Sequence, residues 1–140
     1  TVQESKSANA FQQSEQFIED LYPIDIRYNI KIECDVLQNG FREALLRTML
    51  AKKMKLSASK KLKFYVDSLD VPGEVIIKWK VLNRGVEAER RNCIRGDIVA
   101  DKGHRKKEES TSFVGEHIVE CYVIQNGVVV AKDRIDVPIQ

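Results

Sequence analysis

Ile24-Asp25-Ile26-Arg27-Tyr28-Asn29-Ile30-Lys31-Ile32-Glu33-Cys34-Asp35-Val36 alternates apolar and polar residues without a break. Successive side chains of an extended strand point to opposite faces, so this period of two predicts one face on a core and one in water. Working upstream, Pro23 pushes the residue before it out of the helical region. The segment from Ser7 to Tyr22 places Ala10, Phe11, Ser14, Phe17, Ile18, Leu21 and Tyr22 at helical spacing, which predicts a helix ending at that proline. Working downstream, Asn39-Gly40 closes the strand with a turn.

Phe41 to about Met54 reads as a second helix, with Phe41, Leu45 and Met49 on one stripe and Leu46 and Leu50 beside it. Between residues 41 and 63, Arg42, Arg47, Lys52, Lys53, Lys55, Lys60, Lys61 and Lys63 face the single anion Glu43. Ser57-Ala58-Ser59 breaks that pattern, and from there the chain reads as β. Leu62, Phe64 and Val66 alternate, as do Val75, Ile77, Trp79 and Val81 after a turn at Pro72-Gly73. Residues 83 to 115 read as long loops around a short strand near Ile94 to Ala100. Val119, Cys121 and Val123 form another strand. Asn126-Gly127 is a two-residue hairpin signal, because both central positions of that turn need positive φ. Val128, Val130, Ile135, Val137 and Ile139 complete the pair. The prediction is a mainly β fold, an immunoglobulin-like antiparallel β-sandwich of about six to eight strands with an N-terminal helix and one inserted helix.

The 140 residues fit one domain, and 43% apolar with 31% charged residues is an ordinary globular balance. A net charge of +2 does not by itself imply nucleic acid as a partner. Cys34, Cys93 and Cys121 form no close pair, which argues against a disulfide framework and for a cytoplasmic setting. The chain contains no apolar run approaching the ~20 residues of a membrane span, and its start does not read as a signal peptide. It opens on Thr1, which reads as a piece of a longer chain. Enzymatic signatures are missing: no phosphate loop, no G-x-G-x-x-G, no nucleophile setting and no zinc-like spacing among the two histidines and three cysteines. The expectation is no catalysis, no cofactor and no metal.

The informative stretch runs from Trp79 to Cys121. Its first block is Trp79, Val81, Asn83, Gly85, Glu87 and Ala88; its second is Arg95, Gly96 and Ile98. Glu109 and Thr111 form a third, and Gly115, His117, Val119, Glu120, Cys121 and Tyr122 a fourth. Four blocks in this order resemble the AGS-C family, the C-terminal sensor domain of adenylyl/guanylyl cyclases and SMODS nucleotidyltransferases, over roughly residues 11 to 140. The resemblance implies a ligand-sensing domain of a cyclic (oligo)nucleotide synthase in CBASS- or Pycsar-type anti-phage defence. Residues 1–22 would be a helical connector from an upstream catalytic domain, and 23–140 the sensor sandwich. The implied partners are the upstream nucleotidyltransferase or cyclase and a nucleotide, cyclic oligonucleotide or phage-derived ligand. Nucleic acid and a second copy of the chain stay open as partners, and a membrane does not. A cyclic-oligonucleotide receptor on an effector and a sandwich that docks on the catalytic domain are the alternatives.

The candidate ligand contacts are Trp79, Asn83, Glu87, Arg95, Asp97, Glu109, Thr111 and His117. Trp79 reads first as a core tryptophan and second as a stacking platform for a base. Asn83-Arg84-Gly85 is a tight turn or an amide facing a ligand. Arg95, beside Gly96, presents its planar fork to a phosphate or pairs with Glu87 or Asp97. His117 is a hydrogen-bonded structural residue or a ligand contact. Arg90, Arg91, Lys102, Arg105, Lys106 and Lys107 could form an anion-attracting rim with the basic helix, or be solvated surface; His104 reads as solvated.

Overall fold

The structure, a computed structural model, describes residues 13–38, 42–51, 61–83, 94–110 and 115–139. Among these residues ten strands form two sheets: β1 (Gln13–Glu15), β2 (Ile30–Gln38), β3 (Arg42–Leu45), β4 (Lys61–Leu69), β5 (Ile76–Asn83), β6 (Ile94–Gly96), β7 (Ile98–Ala100), β8 (Lys106–Ser110), β9 (Gly115–Gln125) and β10 (Val128–Ile139). The larger sheet runs β1-β6-β5-β9-β10, with β7 also on β5, and the smaller runs β3-β2-β4-β8. Every pairing is antiparallel except β1 on β6. The fold is a mainly β sandwich.

Alternation accounts for the core. Ile77, Trp79, Val119, Cys121, Val123, Ile135 and Val137 from one sheet meet Ile32, Cys34, Val36, Leu62 and Phe64 from the other. The predicted hairpin is present, with Asn126 at φ 52° and Gly127 at φ 77° between β9 and β10. Hydrogen bonds stitch the two sheets at two places. At one, the amide of Ile32 and the guanidinium of Arg47 both donate to the Asp133 carboxylate, at 2.9 and 3.2 Å. At the other, the crossing from β7 to β8 ties Asp101 to Ile77 and Arg105 to Val66 through backbone bonds of 2.8 and 3.1 Å.

Four expectations need correction. Residues 13–22 are not an α-helix: they form β1 and a single 3-10 turn, Ile18–Asp20. The apolar spacing there reflects a segment laid across the outer face of the larger sheet, where Ile18 and Tyr22 pack on Tyr122, Ile124 and Val129. Secondly, the strand predicted from Ile24 to Val36 belongs to two places. Ile24 makes a lone bridge to Val129, and the amides of Asp25, Arg27 and Tyr28 donate to Val129 and Val130 on β10. The chain then crosses at Asn29, which the Asp70 carboxylate clasps at 2.6 and 3.0 Å, and only Ile30 onward joins the smaller sheet.

Thirdly, the inserted helix begins only at Leu46 and among the described residues is Leu46–Ala51, since Arg42–Leu45 pairs with β2 as a strand; Phe41 and residues 52–54 lie outside the described residues. Leu46 and Met49 of this helix are buried, and Leu50 packs partly buried against the same core. Lastly, β8 arises from Lys106-Lys107-Glu108-Glu109-Ser110, where a loop is predicted. It is an edge strand held by backbone bonds to β4, and an edge tolerates charge where a central strand does not.

Cys34 and Cys121 are fully buried free thiols. Burial first, then the Asp35 charge, pushes the Cys34 thiol up to about 12, and burial pushes Cys121 up as well. Only thiolates react, so both should resist alkylation at pH 8 in the native protein and react fully in denaturant. Peptide mass mapping of the two samples checks this; rapid native labelling of either would contradict the burial. Cys93 lies outside the described residues.

Candidate functional site

Asn83 is the last residue of β5, and its register decides what it meets. It pairs with Arg95 of β6 on one side and with His117 of β9 on the other. The row extends to Ser14 on β1 beyond Arg95, and to Val137 on β10 beyond His117. Backbone pairing therefore brings three of the candidate positions, drawn from three separate sequence blocks, into one line across the larger sheet. His117 is buried at 7% exposure and has interaction partners. Asp97 follows two residues after Arg95, between β6 and β7, exposed and also engaged.

The other candidates go elsewhere. Trp79 lies four residues back along β5, about 13 Å from Asn83 at a strand's rise. It is fully buried, and its indole N–H donates to Asp101 at 2.9 Å. That geometry is the core tryptophan; no ring face is exposed for a base. Glu109 sits on β8 in the other sheet and pairs with Lys107 at 3.6 Å. Glu87 and Thr111 lie outside the described residues, as do Arg90 and Arg91 of the cationic rim. Arg47 does not join a rim: besides Asp133, it donates to the carbonyls of Ile32 and Arg134 at 3.3 and 3.4 Å.

The N-terminal segment is bound to the row's edge strand. The amide of Gln16 donates to the Gly96 carbonyl at 2.8 Å, and its side-chain oxygen accepts from the Ile98 amide at 2.6 Å. One residue earlier, Glu15 forms a 3.0 Å ion pair with Lys80, whose side chain is only 4% exposed. Phe17 covers the same ammonium at 4.8 Å from its ring centre. Lys80 belongs to the polar half of the β5 alternation, so the sequence alone places it in water. The overlying segment is what buries it.

Gly96 explains how β1 comes so close. A Cβ built there would meet Glu15 Cγ at 2.9 Å, Leu82 Cδ1 at 3.0 Å and the Glu15 Cα at 3.2 Å. Gly96→Ala should therefore cost about 1–3 kcal/mol through overpacking and loosen β1. Urea unfolding together with hydrogen exchange at residues 13–16 measures both effects; unchanged exchange there would show that the neighbours adjust freely.

Sequence reasoning missed the role of Asp101. Burial acts to raise its pKa. The Trp79 indole and the backbone amides of Arg105, Gly103 and Lys106 outweigh that effect and hold the carboxyl below its ordinary value. Its signal was a lone carboxylate before Gly103 in a basic run. Among the described residues no group of three or more His, Cys, Asp or Glu could hold a metal ion, and no helix is long and apolar enough to cross a membrane.

Fold and row together define a small two-sheet module that aligns three polar positions across one end of β5. Over residues 12–140 the chain matches the Adenylyl/Guanylyl and SMODS C-terminal sensor domain, and it belongs to that family. It is also 26% identical over 97 residues to a cytidylate cyclase of Staphylococcus aureus. That match covers 68% of this chain and 22% of the relative, so the chain spans about a fifth of the length of the curated relative it resembles.

Proposed function

We propose that this chain is the ligand-sensing, non-catalytic regulatory module of an enzyme that makes cyclic nucleotide or oligonucleotide second messengers in bacterial anti-phage defence. Membership of a cyclase-associated sensor family and the similarity to a cytidylate cyclase support the cyclase connection. The observation that carries the sensing role is the Arg95–Asn83–His117 row and its hydrogen-bonded link to β1. A ligand engaging the row would bear on the strand that holds the N-terminal segment, which leads towards the upstream domain. Such a ligand shifts the enzyme only by binding one of its states more tightly than the other.

The test uses the full-length parent protein in cells. Asn83→Ala combined with Arg95→Gln should erase the difference in cyclic-nucleotide level between phage-infected and uninfected cultures. A difference that persists undiminished in the double variant counts against the row as the sensing site. A docking role has its own observation: Phe17, Leu21, Ile24 and Ile26, all on the N-terminal segment, are 39–48% exposed. Exposed apolar clusters mark protein contacts, and the upstream domain is the partner this reading assigns.

A further inference from the structure

At the opposite end of β5 from the row, the crossing between the sheets opens a cleft of about 730 Å³, floored by Val99 and Ala100 and underlain by Trp79. We infer that this cleft, rimmed by Lys102, His104, Lys106 and Lys107, binds a nucleoside polyphosphate. The volume falls in the usual range for small-molecule sites, about 300–1,000 Å³.

Charge and its bookkeeping decide the ligand class. Of the carboxylates nearby, Asp101 is spent on the Trp79 indole and the amides of Gly103 and Arg105, at 2.9, 2.8 and 3.0 Å. Glu109 is paired with Lys107. Glu108 also lines the cleft, exposed and with no ion pair among the described residues, so the cleft's cations outnumber the anions left to meet them only by Lys102 and Lys106 against Glu108. Lys102 and Lys106 have no carboxylate partner among the described residues, and both are exposed. Two ammonium groups that line one cleft, neither with a carboxylate partner among the described residues, suit a ligand carrying several phosphate charges, since lysine binds phosphate as a compact point charge.

The rim is also held in place before any ligand arrives. Asp101 fixes the crossing in a shape that requires positive φ at Gly103 (100°) and at Arg105 (55°). A non-glycine residue in that region persists only where its surroundings over-determine it, and such strain collects at ligand clamps. Preorganisation of this kind lowers the ordering cost of binding. The apolar floor of Val99, 40% exposed, and Ala100 gives the nucleoside a surface to cover. This site is separate from the Arg95 row and does not depend on the role assigned to it.

The experiment is calorimetric titration of the chain at low salt with ATP, GTP, CTP and UTP in turn, with adenosine as the uncharged control. At least one triphosphate should bind saturably and adenosine at least tenfold more weakly. Lys102→Gln with Lys106→Gln should weaken that triphosphate tenfold or more, whereas Lys31→Gln with Lys132→Gln, which removes the same charge elsewhere, should change it less than threefold. Arg95→Gln should also leave it within threefold. Binding by none of the four, equal weakening by the two lysine pairs, or a loss that follows Arg95→Gln would each overturn the cleft. The last outcome overturns it while leaving the row's proposed role standing.

Discussion

Trp79→Ala lowers the unfolding free energy by about 3–5 kcal/mol, the range for emptying a fully buried aromatic site. The position leaves little room for relaxation. Trp79 lies between Ile77 and Val81 on a central strand, opposite Cys121 of β9 and Val99 of β7, with Phe64 in the same core cluster. The substitution also strips Asp101 of its indole donor, so a half-buried carboxylate loses one of the bonds that hold the crossing. Urea unfolding followed by far-ultraviolet circular dichroism gives the number. Trp79→Phe weights the two contributions differently, since it keeps most of the volume while losing the N–H. A loss below about 1 kcal/mol for the alanine variant would contradict a packed core at this position.

Glu15→Ala should be nearly as damaging, at about 3–5 kcal/mol if the penalty for a stranded buried charge applies in full. The Glu15 side chain is 18% exposed and that of Lys80 4%, so the ammonium depends on this carboxylate for its compensating charge and loses it when Glu15 is cut back. The favourable Coulomb term between two such groups is largely offset by their desolvation. Breaking the pair therefore costs more than replacing it, and Glu15→Leu combined with Lys80→Met should restore most of the loss. A double-mutant cycle on the thermal midpoint reads the coupling. Additive losses would mean that Lys80 finds other solvation and that β1 is not held by this pair. The two predictions address different layers: Trp79 the space between the sheets, Glu15 the attachment of the N-terminal segment to the outside of one of them.

Much of the sandwich was legible because burial on one face imposes a period of two. β5, β9 and the Asn126-Gly127 hairpin follow from that alternation and from the positive φ the turn demands. The short strand near Ile94–Ala100 was visible too, although Asp97 divides it into β6 and β7. Misreadings arose where a local pattern served two environments. One alternating run from Ile24 to Val36 begins beside β10 of one sheet and ends as β2 of the other, because alternation records exposure but not which sheet supplies the partner. The N-terminal segment mimicked a helix because intermittent contact with a flat face can repeat every three or four residues.

The residues by themselves determined that the chain is mainly β and that Trp79 suits a core. Tertiary structure alone decided that positions 83, 95 and 117 share a row, that Lys80 is sealed under Glu15 and Phe17, and that Lys102 and Lys106 line an open cleft at the crossing. The reason is physical. Alternation is a property of neighbours along the chain, whereas register and coverage depend on hydrogen bonds and contacts between segments tens of residues apart, which no local spacing encodes.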